Sequence, residues 1–255
     1  YHLAWLRYIG ERKLYFMTPM MGSQLEVFAT RPGRGEFLYR VLSVPKIVDG
    51  WGVFADEKGD VWQAGGKQIA RLPLEGFSPD GAPRYGEAQK FDAPAPFDSL
   101  QRVQYFSGTD TLYLTGYTPE KPEEIWGIIG KVIARFDGWS KGNRTATWIR
   151  DVPHDWQRKT HPRIIKKAMA IEGDYIFMAG VETRGDVWVY RAKDGTQVGH
   201  FAVGERLGGR EMTGWVDMPN AISAFRRKNG EYLVFVEEDY RNKVLLYRWT
   251  PENAP

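Results

Sequence analysis

The chain has no cysteine, so disulfides and thiolate-ligated metal centres are excluded, and the redox character of its compartment is left unmarked. No stretch approaches about 18 consecutive apolar residues, which excludes a transmembrane helix read from hydropathy. Neither sign of charge dominates: 35 Lys and Arg face 32 Asp and Glu, for a net charge of +3. That balance argues against nucleic acid as a partner. The two dense basic runs, KTHPRIIKK at 159–167 and Arg226-Arg227-Lys228, read as solvated turns. Also missing are G-x-S-x-G, HExxH, a P-loop and a dinucleotide fingerprint, so no nucleophile or phosphate cradle is announced. The Gly-rich stretch 206–210 (RLGGR) lies between strand patterns with no helix after it and reads as a turn. Helical periodicity never persists beyond two turns.

What the chain does have is aromatic residues, with 10 Trp, 13 Tyr and 13 Phe in 255 residues. These favour strands. Apolar alternation with period two recurs from end to end. A polar turn followed by an aliphatic and aromatic pair appears at Leu14-Tyr15, Val61-Trp62, Leu112-Tyr113, Tyr175-Ile176 and Tyr232-Leu233. A second strand follows each, and two pairs are close copies: KQIARL at 67–72 with KVIARF at 131–136, and VWVYR at 187–191 with VLLYR at 244–248. Further strand patterns flank them, at 3–9, 51–55, 100–106, 164–171 and 221–225 before, and at 37–44, 84–91, 145–152 and 197–203 after. The first turn recurs at Arg12, Gly59, Thr109, Gly173 and Gly230, a period of roughly 50 to 60 residues that marks a β-propeller.

The expected fold is therefore an all-β propeller of about five four-stranded antiparallel blades forming one domain, with units at about 1–47, 48–97, 98–153, 154–214 and 215–255. The fifth unit stops one strand short. This raises the expectation of a larger propeller, with further blades supplied by a preceding region or by a partner chain. The tetrapeptide Gly-Asp-Val-Trp occurs at 59–62 and again at 185–188. In the repeat register the two are not equivalent, because the counterpart of Gly59-Asp60 is Gly173-Asp174. The chain starts at Tyr1 in an apolar alternating stretch, the expectation for a processed or partial chain of a secreted or periplasmic protein.

The run Gly52-Val53-Phe54-Ala55-Asp56-Glu57-Lys58-Gly59-Asp60-Val61-Trp62 resembles the strand pair of the broad NHL-repeat and streptogramin-lyase-like group of secreted bacterial β-propellers. Weaker copies stand at 171–176 and 227–233. The resemblance implies a fold used mostly to bind proteins, sugars or small ligands, and less often for lyases and lactonases with a metal in the central channel.

Two sets of residues are candidates for a site. Residues just before each innermost strand rim a propeller channel, and here they include His2, Asp49, Asp98 or Ser99, Arg163, Asp217 and Asn220. His2, Asp49, Asp217 and Asn220 could hold a divalent cation, Ca or Mg, or the polar groups of a sugar. An Asp before a strand is equally a turn former. The second set is aromatic: Trp51, Trp126, Trp139, Trp156 and Trp215 fall in or near loops, where a flat ring can stack on a sugar or anchor a protein. Trp126 and Trp156 lie in the long insertions 118–127 and 153–163; the latter also carries Arg163 and the pair His154 and His161, whose spacing of seven matches no regular metal signature. The leading expectation is a non-catalytic module that binds carbohydrate or a protein partner through Trp51, Trp126, Trp156, Trp215 and Arg163. A metal-assisted lyase or hydrolase at the channel mouth, and a structural subunit completed by a missing N-terminal part, are the alternatives.

Overall fold

The computed structural model describes residues 2–9, 12–18, 24–30, 37–45, 48, 52–122, 130–152, 168–179, 187–201, 219–238 and 243–251. They form an all-β chain of propeller-type blades. The strands are β1 (His2–Ile9), β2 (Arg12–Thr18), β3 (Gln24–Thr30), β4 (Phe37–Pro45), β5 (Gly52–Ala55), β6 (Val61–Gly65) and β7 (Gln68–Leu72). They continue as β8 (Leu74–Phe77), β9 (Pro83–Tyr85), β10 (Gln89–Asp92), β11 (Ser99–Phe106), β12 (Thr111–Tyr117), β13 (Val132–Asp137) and β14 (Trp148–Asp151). The last seven are β15 (Ala168–Glu172), β16 (Tyr175–Ala179), β17 (Val187–Arg191), β18 (Gln197–Phe201), β19 (Pro219–Arg226), β20 (Tyr232–Glu238) and β21 (Lys243–Trp249).

Among the described residues these strands make four four-stranded sheets in the orders β1-β2-β3-β4, β5-β6-β7-β10, β11-β12-β13-β14 and β15-β16-β17-β18. A three-stranded sheet, β19-β20-β21, and a two-stranded ribbon, β8-β9, complete the set. The complete blades therefore number four, where about five were expected; the fifth sheet has three strands. A second difference lies in the second blade, where 84–91 was expected to be one strand. The Ser78-Pro79-Asp80-Gly81 turn instead closes the β8-β9 ribbon, with Gly81 N–H donating to Ser78 O at 2.8 Å, and the fourth strand, β10, starts only after it.

The chain divides into two compact units, Tyr1–Pro122 with Ile133–Thr147, and Glu123–Val132 with Trp148–Pro255. In the first, the turn between β5 and β6 shows why Gly-Asp-Val-Trp stands where it does. Gly59 has φ +86, open to glycine at no steric cost, and its N–H donates to Asp56 O at 3.0 Å. The Asp56 carboxylate accepts from the N–H groups of Lys58 and Asp60 at 2.9 and 3.0 Å, and from Trp62 Nε1 at 3.0 Å. Burial raises the pKa of Asp56, and the Trp62 indole N–H opposes that rise. Asp60 takes both Nε and Nη2 of Arg71, at 2.8 and 2.6 Å, and the N–H of Leu74 at 2.8 Å. A buried carboxylate satisfied this fully rigidifies its turn, and loss of a partner costs far more than the pair contributes net. Trp62 then packs on Tyr105, ring centroids 4.4 Å apart.

Trp139, expected in a contact loop, is a core residue at 2% exposure. It sits on a short 3-10 turn, Trp139–Lys141, bracketed by Gly138 and Gly142 at φ 73 and 88. Its ring meets Phe91 and Phe136 edge-on, and the Arg144 guanidinium lies 3.6 Å from its centroid.

In the second unit, the sheet β15-β18 and the sheet β19-β21 share one core. Phe177, Val187, Val189 and Val198 from the former pack with Ile222, Tyr232, Val234, Val236, Leu245 and Trp249 from the latter. Tyr232 and Trp249 both contact Phe177, at 5.5 and 5.6 Å between centroids, and Tyr175 meets the same pair. The tryptophan at the start of β14 belongs to this unit as well, its Nε1 donating to Ala192 O at 3.1 Å.

Candidate interaction surface

The surface that stands out is the far side of the last sheet. Its first hairpin is set by Asn229-Gly230: Gly230 has φ +85, its N–H donates to Arg227 O at 3.0 Å, and Arg227 N–H donates to Glu231 O at 2.8 Å. From that turn the strands alternate with period two. Ile222, Tyr232, Val234, Val236, Leu245 and Trp249 face the shared core. The pairings Phe225↔Leu233↔Arg248 and Ser223↔Phe235↔Leu246 then put the intervening residues on the opposite face, with Val244 two residues from Leu246. Beside Ser223, Glu237 and Arg248, that face carries four exposed apolar residues: Phe225 is 60% exposed, Phe235 36%, Val244 66% and Leu246 57%.

The preceding sheet shows what this face is when covered. In it Phe177 pairs with Val189 and Ala179 with Val187, one step from Tyr175↔Arg191. In the last sheet Phe235 pairs with Leu246 and Glu237 with Val244, one step from Leu233↔Arg248. Phe177, Val187 and Val189 thus hold the positions that Phe235, Val244 and Leu246 hold one sheet later. All three are 0% exposed, because the last sheet lies over them. The two faces match in apolar character at these three positions, while Ala179 and Ala170 of the covered face are replaced by Glu237 and Ser223. The VWVYR and VLLYR copies correspond in this register, while the second strands are slipped by one, so that Tyr175 matches Leu233 and not Tyr232.

Among the described residues one edge of the same sheet is open too. β21 pairs with β20, and among the described residues no strand lies on its other side. In the preceding sheet that place is filled by β18, paired as Val187↔Phe201, Trp188↔His200 and Val189↔Gly199. A long unpaired strand carrying apolar residues is a ready pairing site.

Charge is concentrated at the turn end of the sheet. The buried Glu231 carboxylate accepts from Arg248 Nε and, at 2.7 Å, from Arg227 Nη1. The hydrogen bond from Arg248 is the main cause that holds its pKa below the usual glutamate value, against burial and with help from Arg227. Arg226, Arg227, Lys228 and Arg248 are all exposed, and two of them, Arg227 and Arg248, share the one Glu231 carboxylate, so the rim is basic.

Of the residues singled out from sequence, Trp51, Trp126, Trp156, Trp215, Arg163, Asp49 and Asp217 lie outside the described residues. His2 is in β1 opposite Thr18, and Asn220 is at the register shift between Pro219 and Ala221 in β19. Asp98 is exposed and forms an ion pair with Lys67 Nζ at 2.8 Å. Among the described residues no three His, Cys, Asp or Glu side chains group as a metal set. Sequence reasoning missed Phe225, Phe235, Val244 and Leu246, because strand alternation reads them as one more core face.

No known family profile matches the chain, and no curated protein matches it. Among solved structures it is similar to the Cps50 (Swd1) β-propeller domain of Myceliophteria thermophila, at 9% identity and a TM-score of 0.45. The match covers 94% of this chain and 66% of that one, so the chain spans slightly less than two thirds of its length.

Proposed function

We propose that this protein is a propeller-type interaction module, and that it docks a protein partner on the outer face of β19-β20-β21. The observation that carries the reading is the contrast between Phe235, Val244 and Leu246, at 36%, 66% and 57% exposure, and their equivalents Phe177, Val187 and Val189 at 0%. Contiguous exposed apolar residues beside a polar rim are the mark of an association surface, and their core is where binding energy concentrates. The likeness of 52–62 to propellers that bind proteins and sugars is consistent with a binding role. Carbohydrate recognition through the loop tryptophans 126 and 156 is the competing reading.

The test is photocrosslinking in cells that produce the protein, with a photoreactive residue placed at Leu246 or, as control, at Ile149, which is exposed on β14. Discrete protein adducts from position 246 that are missing from 149 are expected. The same adducts from both positions, or none from 246, would refute docking on this face.

A further inference from the structure

We propose that the partner contributes an extended segment that pairs antiparallel with β21 as the fourth strand of the last sheet, and that this segment carries an acidic residue at its N-terminal end followed by apolar residues. The inference rests on the reading of this sheet as the docking face, and it adds what the partner must look like.

One sheet earlier, β18 fills the same place. β18 runs antiparallel to β17, with Phe201 opposite Val187, Gly199 opposite Val189 and a register shift before Gln197 opposite Tyr190. Val198, at that shift, is buried in the shared core. Asp194, just ahead of the strand, ion-pairs with Arg191 at 3.0 Å. The fourth strand is thus held by three things: ladder hydrogen bonds, an apolar side chain beside Val189, and an acid on the guanidinium at the end of the third strand.

Every receiving element recurs in β21. Val244 and Leu246 stand where Val187 and Val189 stand, and Arg248 stands where Arg191 stands. Arg248 and Arg227 share the single carboxylate of Glu231, so the end of β21 at which an antiparallel strand would enter is electropositive. That fixes the position of the acid in the partner. Main-chain pairing supplies affinity in such strand addition, and alternate side-chain pockets supply selectivity.

The experiment uses the full chain carrying a C-terminal tail: a flexible Gly/Ser linker after Pro255, then a copy of residues 193–201 (KDGTQVGHF). The tail enters from the Trp249 end of β21, and tethering keeps its effective concentration near the millimolar range. Amide exchange reads the edge, and hydroxyl-radical labelling of Phe235 and Leu246 reads the face. The proposal expects alternate amides of β21 to exchange about tenfold more slowly or slower still than in the untailed chain. A tail with its Asp changed to Lys should lose much of that protection, and a scrambled tail should give none. Unchanged β21 exchange, or protection equal with the scrambled tail, overturns strand addition. If photocrosslinking has meanwhile placed a partner on the face, the docking reading survives that result; a face that neither crosslinks nor loses labelling takes the docking reading down with it.

Discussion

Replacing each of two equivalent phenylalanines by alanine should cost very different amounts. Phe177 and Phe235 occupy matching positions in successive sheets, but Phe177 is 0% exposed beneath Tyr232 and Trp249, while Phe235 is 36% exposed. Phe177→Ala removes a fully buried ring and leaves a cavity walled by two other aromatic rings, a loss of about 3–5 kcal/mol. Phe235→Ala removes a ring about two thirds withdrawn from water, with solvent free to fill the gap, so only the transfer part is lost, about 1–2 kcal/mol. Urea unfolding followed by circular dichroism reads the difference directly. With a slope of about 1–3 kcal/mol per M, the two midpoints should be separated by about 1 M. Phe235→Ala should nonetheless weaken partner binding, whereas a loss of binding in Phe177→Ala should track its loss of folded protein. Equal midpoints would refute the contrast in cover between the two faces, since Phe235 would then be as thoroughly buried as Phe177.

Three further outcomes follow from the same geometry. A Cβ on Gly116 would lie 2.1 Å from the backbone oxygen of Ser99, a clash that no side-chain rotation relieves. Gly116→Ala should therefore destabilise the first unit by about 1–3 kcal/mol or more, measured as a lowered urea midpoint. Glu231 has a depressed folded pKa, so its contribution is present above the ordinary glutamate value of 4.5 and is lost as pH falls through the folded value. Asp194, brought down to about 2 chiefly by the backbone N–H of Thr196, acts in the same direction lower on the scale. Melting temperature should fall as pH is lowered from 4.5 toward 2, and Glu231→Gln should flatten the upper part of that fall. On a glycan array, wild type and the Trp126→Ala and Trp156→Ala variants should give the same weak pattern; a glycan bound by wild type alone would favour the carbohydrate reading.

Much of the blade pattern was legible because strand alternation and turn chemistry are local. The turn at Gly59, the counterpart turn at Gly173, and the strand that ends at Trp249 were all readable from glycine and aspartate placement and from period two. The β8-β9 ribbon was not, because Ser78-Pro79-Asp80-Gly81 closes a hairpin equally well whichever strands it joins. Trp139 looked like a loop contact, since nothing local says that Phe91 arrives from a distant strand to bury it beside Phe136. The exposed face of β19-β20-β21 was illegible for a related reason. The residues of β21 alternate like those of β17, and only the presence or absence of a covering sheet decides which face is core. That fact is not encoded in either strand.

The most direct test of the docking claim is the affinity of a partner captured at position 246, measured by calorimetry against two sets of variants. Leu246→Lys and Phe235→Ser should each weaken binding by about tenfold or more, while Trp126→Ala and Trp156→Ala leave it unchanged. Binding that survives the face variants and is lost in the loop variants would contradict the account.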